Sequence, residues 1–236
     1  MQHSGPRKII SDLQHIGDCT ANNLSNQEIS NILCSILKND ILNVKELMDV
    51  LIELKNYHKA TATHCIRVGI VAGAISLKLG FESKDVTNFI ISGLLHDVGK
   101  MRIPLEIINK KGKLTTEEFN MIRTHPLHSH NMICNMSCVN PSILDGVLNH
   151  HEKKDGSGYP HKLKSDCVSC FAQLVSVADI FDAITSERSY RTRAPANYAA
   201  LCIINDVGKL DKNIVKDALG CIKKLSSELI SVDLNF

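Results

Sequence analysis

His96-Asp97 closes the apolar run Ile90 to Leu95 and is followed by Gly99-Lys100. A helix that is apolar until its last turn, and then presents imidazole and carboxylate, places metal-ligand types at the edge of a core. Nitrogen and oxygen donors in that combination suit Fe, Mn or Zn. Asp97 has two oxygens and so can bridge two ions. The alternative use of the dipeptide is a hydrogen-bonded histidine beside a helix-terminal aspartate. Other histidines gather nearby in sequence: His64 within a helical pattern, His125 before Pro126, and His150-His151-Glu152 after the segment that starts at Pro141. Adjacent helical residues diverge by about 100°, so the His150-His151 pair is expected to reach two ions rather than chelate one. Asp179 lies in the mostly apolar stretch Phe171 to Ile184. A carboxylate there is costly unless it is paired or bound to a cation. Asp182, three residues on, shares its helix face.

The elements that must hold these residues read as helices throughout. Apolar residues recur at helical spacing in 25–38 and 43–55, and a longer helix is expected from Thr61 to Leu79, stopping at Gly80. Another begins at Ser83 and ends near Gly99. Pro104 to Asn109 reads as a short helix. Thr115 or Thr116 caps the next, with Glu118 placed for a capping box. His125-Pro126 starts a helix through Met136, and Pro141 starts one that ends at His150-His151. Lys153 to Ser165 reads as a loop, Cys170 to Ser186 as a buried helix, and 195–208 and 212–225 as the last two. No strand alternation persists. The expected class is all-α, with a short helical extension over residues 1–55 and a main domain over 56–236, divided at the polar stretch Lys55 to Lys59.

Taken in order, the pieces are specific. They are His64-Cys65-Ile66-Arg67-Val68, His96-Asp97-Val98-Gly99-Lys100 and His125-Pro126, then His150-His151-Glu152 with Asp155-Gly156-Ser157-Gly158-Tyr159-Pro160, Ala178-Asp179-Ile180-Phe181-Asp182-Ala183 and Arg188-Ser189-Tyr190-Arg191. From about residue 58 to 225 the chain resembles the HD-GYP phosphodiesterases, a bacterial branch of the HD-domain metallohydrolases. The resemblance implies an HD-domain-like helical bundle around a metal cluster and hydrolysis of a cyclic dinucleotide, cyclic di-GMP by default, with the linear dinucleotide or GMP as product. It implies His64, His96, Asp97, His125, His150, His151 and Asp179 as metal ligands, with Asp97 bridging. Lys100 would contact the scissile phosphate, and Asp182, Arg188 and Arg191 would contact substrate or support the site. The chemistry is coherent, because two divalent ions about 3.5–4 Å apart supply both a nucleophile and neutralisation of phosphoryl charge. Arginine forks suit a second phosphate or a guanine edge.

The chain departs from the family pattern at a few positions. Ala60 stands where some members place a glutamate for a third metal, so two ions are expected rather than three. Ser129 stands four residues after His125, where glycine is usual, and can tighten the local helix. Gln173 replaces an arginine common in the last metal helix. His58 and His161 fall outside the pattern. Tyr159 is expected to pack its loop down rather than stack on a base. Cys167 and Cys170 have zinc-knuckle spacing, with Cys134 and Cys138 as conceivable partners, but small buried hydrophobes are the favoured reading of these thiols.

The 236 residues carry a net charge of only +2, with aromatics at 4% and no tryptophan. A DNA- or RNA-coating surface needs a basic excess, and a single-strand stacking platform needs aromatics. The longest apolar stretch, Val68 to Leu77, is about half of a spanning helix, so no membrane span is expected. Nine cysteines cannot all pair within the chain, and a reducing cytoplasm is the expected compartment. The expected cofactor is a pair of divalent ions, Fe or Mn favoured over Zn, Co or Ni. A homodimer contact or a regulatory partner is open to the N-terminal helices. Rival readings are a hybrid cyclic GMP-AMP phosphodiesterase and a non-catalytic cyclic dinucleotide receptor.

Overall fold

The computed structural model describes residues 41–185 together with Ile214 and Lys216. The helices expected over 25–38 and 195–208, and the arginines Arg188 and Arg191, lie outside the described residues, as does most of 212–225. In chain order the helices are α1 (Ile41–Tyr57), α2 (Lys59–Lys78), α3 (Ser83–Leu95), α4 (Leu105–Ile108), α5 (Thr116–Ile122), α6 (His125–Ile133), α7 (Pro141–Asn149) and α8 (Cys170–Thr185). Short 3-10 turns occupy Val98–Arg102 and Ser165–Cys167. Among the described residues the one β-type pairing is an isolated bridge between Asp155 and Lys164.

Local chemistry explains the helix ends. Thr115 caps α5 in a reciprocal box: its hydroxyl accepts from the Glu118 N–H, and Glu118 accepts from the Thr115 N–H. Asn140 caps α7 just before Pro141, accepting from the N–H groups of Ser142 and Ile143. His58 has a structural use absent from the sequence reading. Its Nδ1 accepts the Thr61 N–H and caps α2, while its Nε2 faces Asn109 at 3.0 Å.

The division expected at residues 55–56 falls within the last turns of α1. That helix buries Leu47, Leu51 and Leu54 completely, in one core cluster with Ile66, Leu94, Leu95, Ile143 and Val147. The single residue His58 separates α1 from α2, so the polar stretch Lys55 to Lys59 is a helix junction inside a shared core. A second cluster joins α8 to α2 and α3 through Leu174, Val177, Ala178 and Phe181 against Val68, Ala72, Ile75 and Phe89. The backbones of α2 and α3 touch. A Cβ on Gly93 would lie 2.6 Å from Gly69 Cα, so only glycine permits the approach that sets His64 beside His96. Helix α2 is the one described helix long and apolar enough to cross a membrane, and two thirds of its apolar window (67%) is buried within the fold.

Candidate metal centre

Five segments deliver the ligand-type side chains to one place. His64 comes from α2, His96 and Asp97 follow the end of α3, His125 opens α6, His150 and His151 follow α7, and Asp179 comes from α8. Three of the imidazoles are oriented by one device. Each sits just past a helix C-terminus and donates Nδ1–H to a carbonyl three residues back: His96 to Gly93 at 2.8 Å, His125 to Ile122 at 2.7 Å, and His150 to Val147 at 2.7 Å. A carbonyl can only accept, so Nδ1 carries the proton and each Nε2 turns a lone pair toward the centre. His64 is oriented by a carboxylate instead, donating Nδ1–H to Asp182 at 2.6 Å.

These lone pairs are not satisfied by one another. The Nε2 atoms of His125 and His150 face each other at 3.3 Å. The buried His96 Nε2 and Asp97 Oδ1 make no hydrogen bond; Oδ1 lies 3.0 Å from His125 Nε2 without hydrogen-bond alignment. Buried acceptors that converge without donors fit a cation. The donors form two groups, His64 with His96 and Asp97, and His125 with His150 and His151, each set of atoms lying within 4.8 Å of one another. Asp97 belongs to the first group and also faces the second. Its Oδ2 is 3.6 Å from His64 and 3.4 Å from His96, and its Oδ1 faces His125. Asp179 Oδ1 lies 3.1 Å from His64 Nε2.

His150 and His151, expected to reach different ions, both fall in the His125 group. The divergence of about 100° holds only inside a helix. Helix α7 stops at Asn149, and the two rings, in the turn beyond, lie 4.1 Å apart with a tilt of 45°.

Electrostatics keep His125, His150, His151 and Asp97 in ligating form. Burial lowers the pKa of His125, pushes that of His150 far down, and brings His151 to about 3, so all three stay neutral. Burial opposes the charge on Asp97, but Lys100, His96 and His125 outweigh it and hold the carboxyl well below its usual range. For His64 burial is outweighed by the hydrogen bonds with Asp179 and Asp182, which raise it to about 9. The proton these carboxylates attract marks where a divalent cation is favoured. Lys100 contacts Asp97 Oδ2 at 2.5 Å from the 3-10 turn after His96, its side chain 25% exposed.

Supporting residues fall where sequence reasoning assigned little. Asp182 is buried and engaged with protein: beyond His64, its oxygens take Arg67 Nε at 2.5 Å and a terminal Arg67 nitrogen at 3.0 Å. These contacts make it a support for His64. Arg67 was legible only as one turn beyond His64. Glu152 is buried and accepts the N–H groups of His161, Lys162 and Leu163. This folds the glycine-rich loop so that Tyr159 stacks on His151, ring centroids 4.6 Å apart at 28°. Ser129 does more than tighten its helix: its Oγ donates to the His96 carbonyl and accepts the Gly99 N–H, both at 2.8 Å. A Cβ on Gly99 would lie 2.2 Å from the His125 carbonyl, so that stitch depends on glycine. Gln173 donates to the Val168 carbonyl. Cys134, Cys167 and Cys170 are exposed rather than buried, and neither metal-capable group among the described residues contains a thiol.

Fold and site together define an all-α protein with a buried histidine–aspartate centre of metal-binding composition. The chain belongs to the HD domain family, whose pattern matches residues 46–214. It is 38% identical over 141 residues to a cyclic di-GMP phosphodiesterase of Pseudomonas aeruginosa, covering 60% of this chain and 34% of that protein. It is 35% identical over 196 residues to a cyclic di-GMP phosphodiesterase of Thermotoga maritima, covering 81% of this chain and 51% of that one. The chain therefore spans about half of these relatives or less. An HDG"Y"P protein of Bdellovibrio bacteriovorus superposes with a TM-score of 0.59 at 18% identity, over 94% of this chain and 75% of that one. The HD domain of a Listeria monocytogenes phosphodiesterase, solved with cyclic di-AMP, superposes with a TM-score of 0.60 at 15% identity, over 80% of this chain and all of that one (100%). These two likenesses concern the fold.

Proposed function

We propose that the chain is a metal-dependent phosphodiesterase that hydrolyses cyclic di-GMP to the linear dinucleotide. The observation that carries this reading is Asp97, one oxygen facing each histidine group, with its Oδ1 and the nearby His96 Nε2 buried and unpartnered. His64, His96, Asp97 and Asp179 would hold one ion, and Asp97, His125, His150 and His151 a second. Such ions supply charge neutralisation at the phosphoryl group and activation of a water nucleophile. Among the described residues no thiolate joins the donor set, which leaves Fe, Mn, Zn, Co and Ni compatible with it, and we favour Fe or Mn. Ala60 is exposed at the start of α2 and offers no third carboxylate.

The chain's own residues do the rest. Lys100 is already charged beside Asp97 and is placed to meet a non-bridging phosphate oxygen. Asp182 and Arg67 keep the His64 ring fixed, and Arg188 and Arg191 are assigned to substrate. A reducing cytoplasm suits the free thiols. A second reading, hydrolysis of the hybrid cyclic GMP-AMP, is supported by a 3'3'-cGAMP-specific phosphodiesterase of Vibrio cholerae, 30% identical over 179 residues, 73% of this chain and 41% of that protein. The test is to load the protein separately with Mn and Fe(II), incubate it with cyclic di-GMP or the hybrid, and follow products by chromatography. Absence of cleavage of either nucleotide with two ions bound refutes the enzyme reading and leaves the receptor.

A further inference from the structure

The stack that begins at His151 does not end at Tyr159. The guanidinium of Arg123 lies over the Tyr159 ring, its Cζ 4.8 Å from that centroid and 5.7 Å from the centroid of Phe119. Arg123 is half-buried, two residues before His125, and Phe119 is 47% exposed, so the stack runs from the metal centre to the surface. Among the described residues no carboxylate pairs with Arg123. A guanidinium lying on aromatic rings is held in place while the N–H donors at its edge stay available. Here, then, is a fixed planar cation with open donors at the His125–His150–His151 end of the site, away from the end held by His64, Asp179 and Asp182.

We propose that Arg123 is a substrate-binding residue that grips the phosphate of the cyclic dinucleotide not undergoing hydrolysis. The inference rests on the phosphodiesterase reading above. Lys100 and the ion site serve the reacting phosphate, and a cyclic dinucleotide brings a second anion across its ring. Arginine meets phosphate oxygens through paired N–H donors, and Tyr159 fixes the fork without using those donors. The expected signature is a loss that depends on the second phosphate.

The experiment compares wild type, Arg123→Met and Arg123→Lys, each loaded with Mn and checked for metal content, on two substrates. One is cyclic di-GMP; the other is bis(p-nitrophenyl) phosphate, a diester with a single phosphate. Arg123→Met should raise KM for the cyclic dinucleotide about tenfold or more, with kcat changed less than about threefold. It should leave turnover of the single-phosphate diester and the metal content as in wild type. Arg123→Lys should recover part of the lost affinity. An unchanged KM for the cyclic dinucleotide overturns the proposal, as does an equal loss on both substrates, which would make Arg123 a prop for Tyr159. If wild type cleaves the single-phosphate diester but no cyclic dinucleotide, the functional reading itself falls, and this inference with it.

Discussion

Glu152→Gln isolates the contribution of one carboxylate to the active-site loop. In the folded chain Oε1 accepts from His161 and Lys162 at 2.5 and 3.0 Å, and Oε2 accepts from Leu163 at 2.9 Å. Glu152 is 1% exposed, so water cannot replace a lost partner. A glutamine has almost the same shape but a single oxygen. Its NH2 group must face at least one of the three backbone donors, and that donor is left buried without an acceptor. Losing one hydrogen bond to a charged group costs about 1.5–3 kcal/mol, and the surviving bonds weaken as the charge goes. Opening of loop 153–165 should become easier by about 3 kcal/mol, roughly 150-fold in the opening equilibrium. The opening is local, so it should appear in the amides of 161–163 before the global unfolding transition moves. Hydrogen exchange followed by mass spectrometry on the metal-loaded protein reads this directly. Faster exchange confined to the loop, with a raised KM as Tyr159 loosens from His151, is the expected result. Unchanged exchange at 161–163, or equal acceleration across all helices, would refute the reasoning.

Asp97→Ala should abolish turnover and lower metal content from two ions per chain toward zero with helical circular dichroism retained, whereas near-normal activity would remove Asp97 from the bridging position. Lys100→Ala should lower kcat with a smaller effect on KM, because its charge is needed most as negative charge grows on the phosphoryl oxygens; a change in KM alone would contradict that. Asp182→Asn keeps the shape but weakens the carboxylate–His64 bond, so metal affinity should fall about 10–100-fold and excess metal should restore activity; activity that excess metal fails to restore would place Asp182 on substrate. The chelated protein should be most stable near pH 6.5. Below that pH the unfolded chain takes up protons that His151, held to about 3, and the lowered His125 and His150 refuse, so stability falls with pH. Above it, the contribution of His64, raised to about 9, is present below 6.5 and lost as pH climbs through 9. Urea midpoints at pH 5, 6.5 and 9 measure this, and a midpoint at pH 5 equal to that at 6.5 would contradict it.

The described helices and the clustering of the histidines and aspartates were legible because both depend on local pattern. His96-Asp97 stands out at the end of an apolar run, and the Thr115–Glu118 box is written in four consecutive residues. Tertiary partnerships left little local trace. Arg67 and Asp182 are 115 residues apart, and nothing near Arg67 in sequence announces a carboxylate. Glu152 reads as a surface residue until the glycine-rich loop folds back over it. Ser129 departs from a pattern, and its two bonds to the His96–Gly99 turn exist only once α6 crosses the end of α3. The His150-His151 geometry differs for another reason: helical geometry was extended over both residues, past the helix end at Asn149. The polar stretch Lys55 to Lys59 has the composition of a linker, but leucines on α1 carry the core through it.

The three Nδ1–H bonds to helix-terminal carbonyls have a consequence for how this centre can change. The last carbonyls of any helix lack partners within it, so His96, His125 and His150 finish α3, α5 and α7 while also aiming their rings. Helix termination and ligation are one bond viewed from its two ends. Exchanging such a histidine for alanine removes a donor from a helix end as well as a ligand, and the resulting loss of activity mixes fraying with lost coordination. A descendant that gave up catalysis would therefore keep these three histidines for the sake of its helices. The decay of function would show first at Lys100, Asp179 or His151, whose removal leaves every helix end finished.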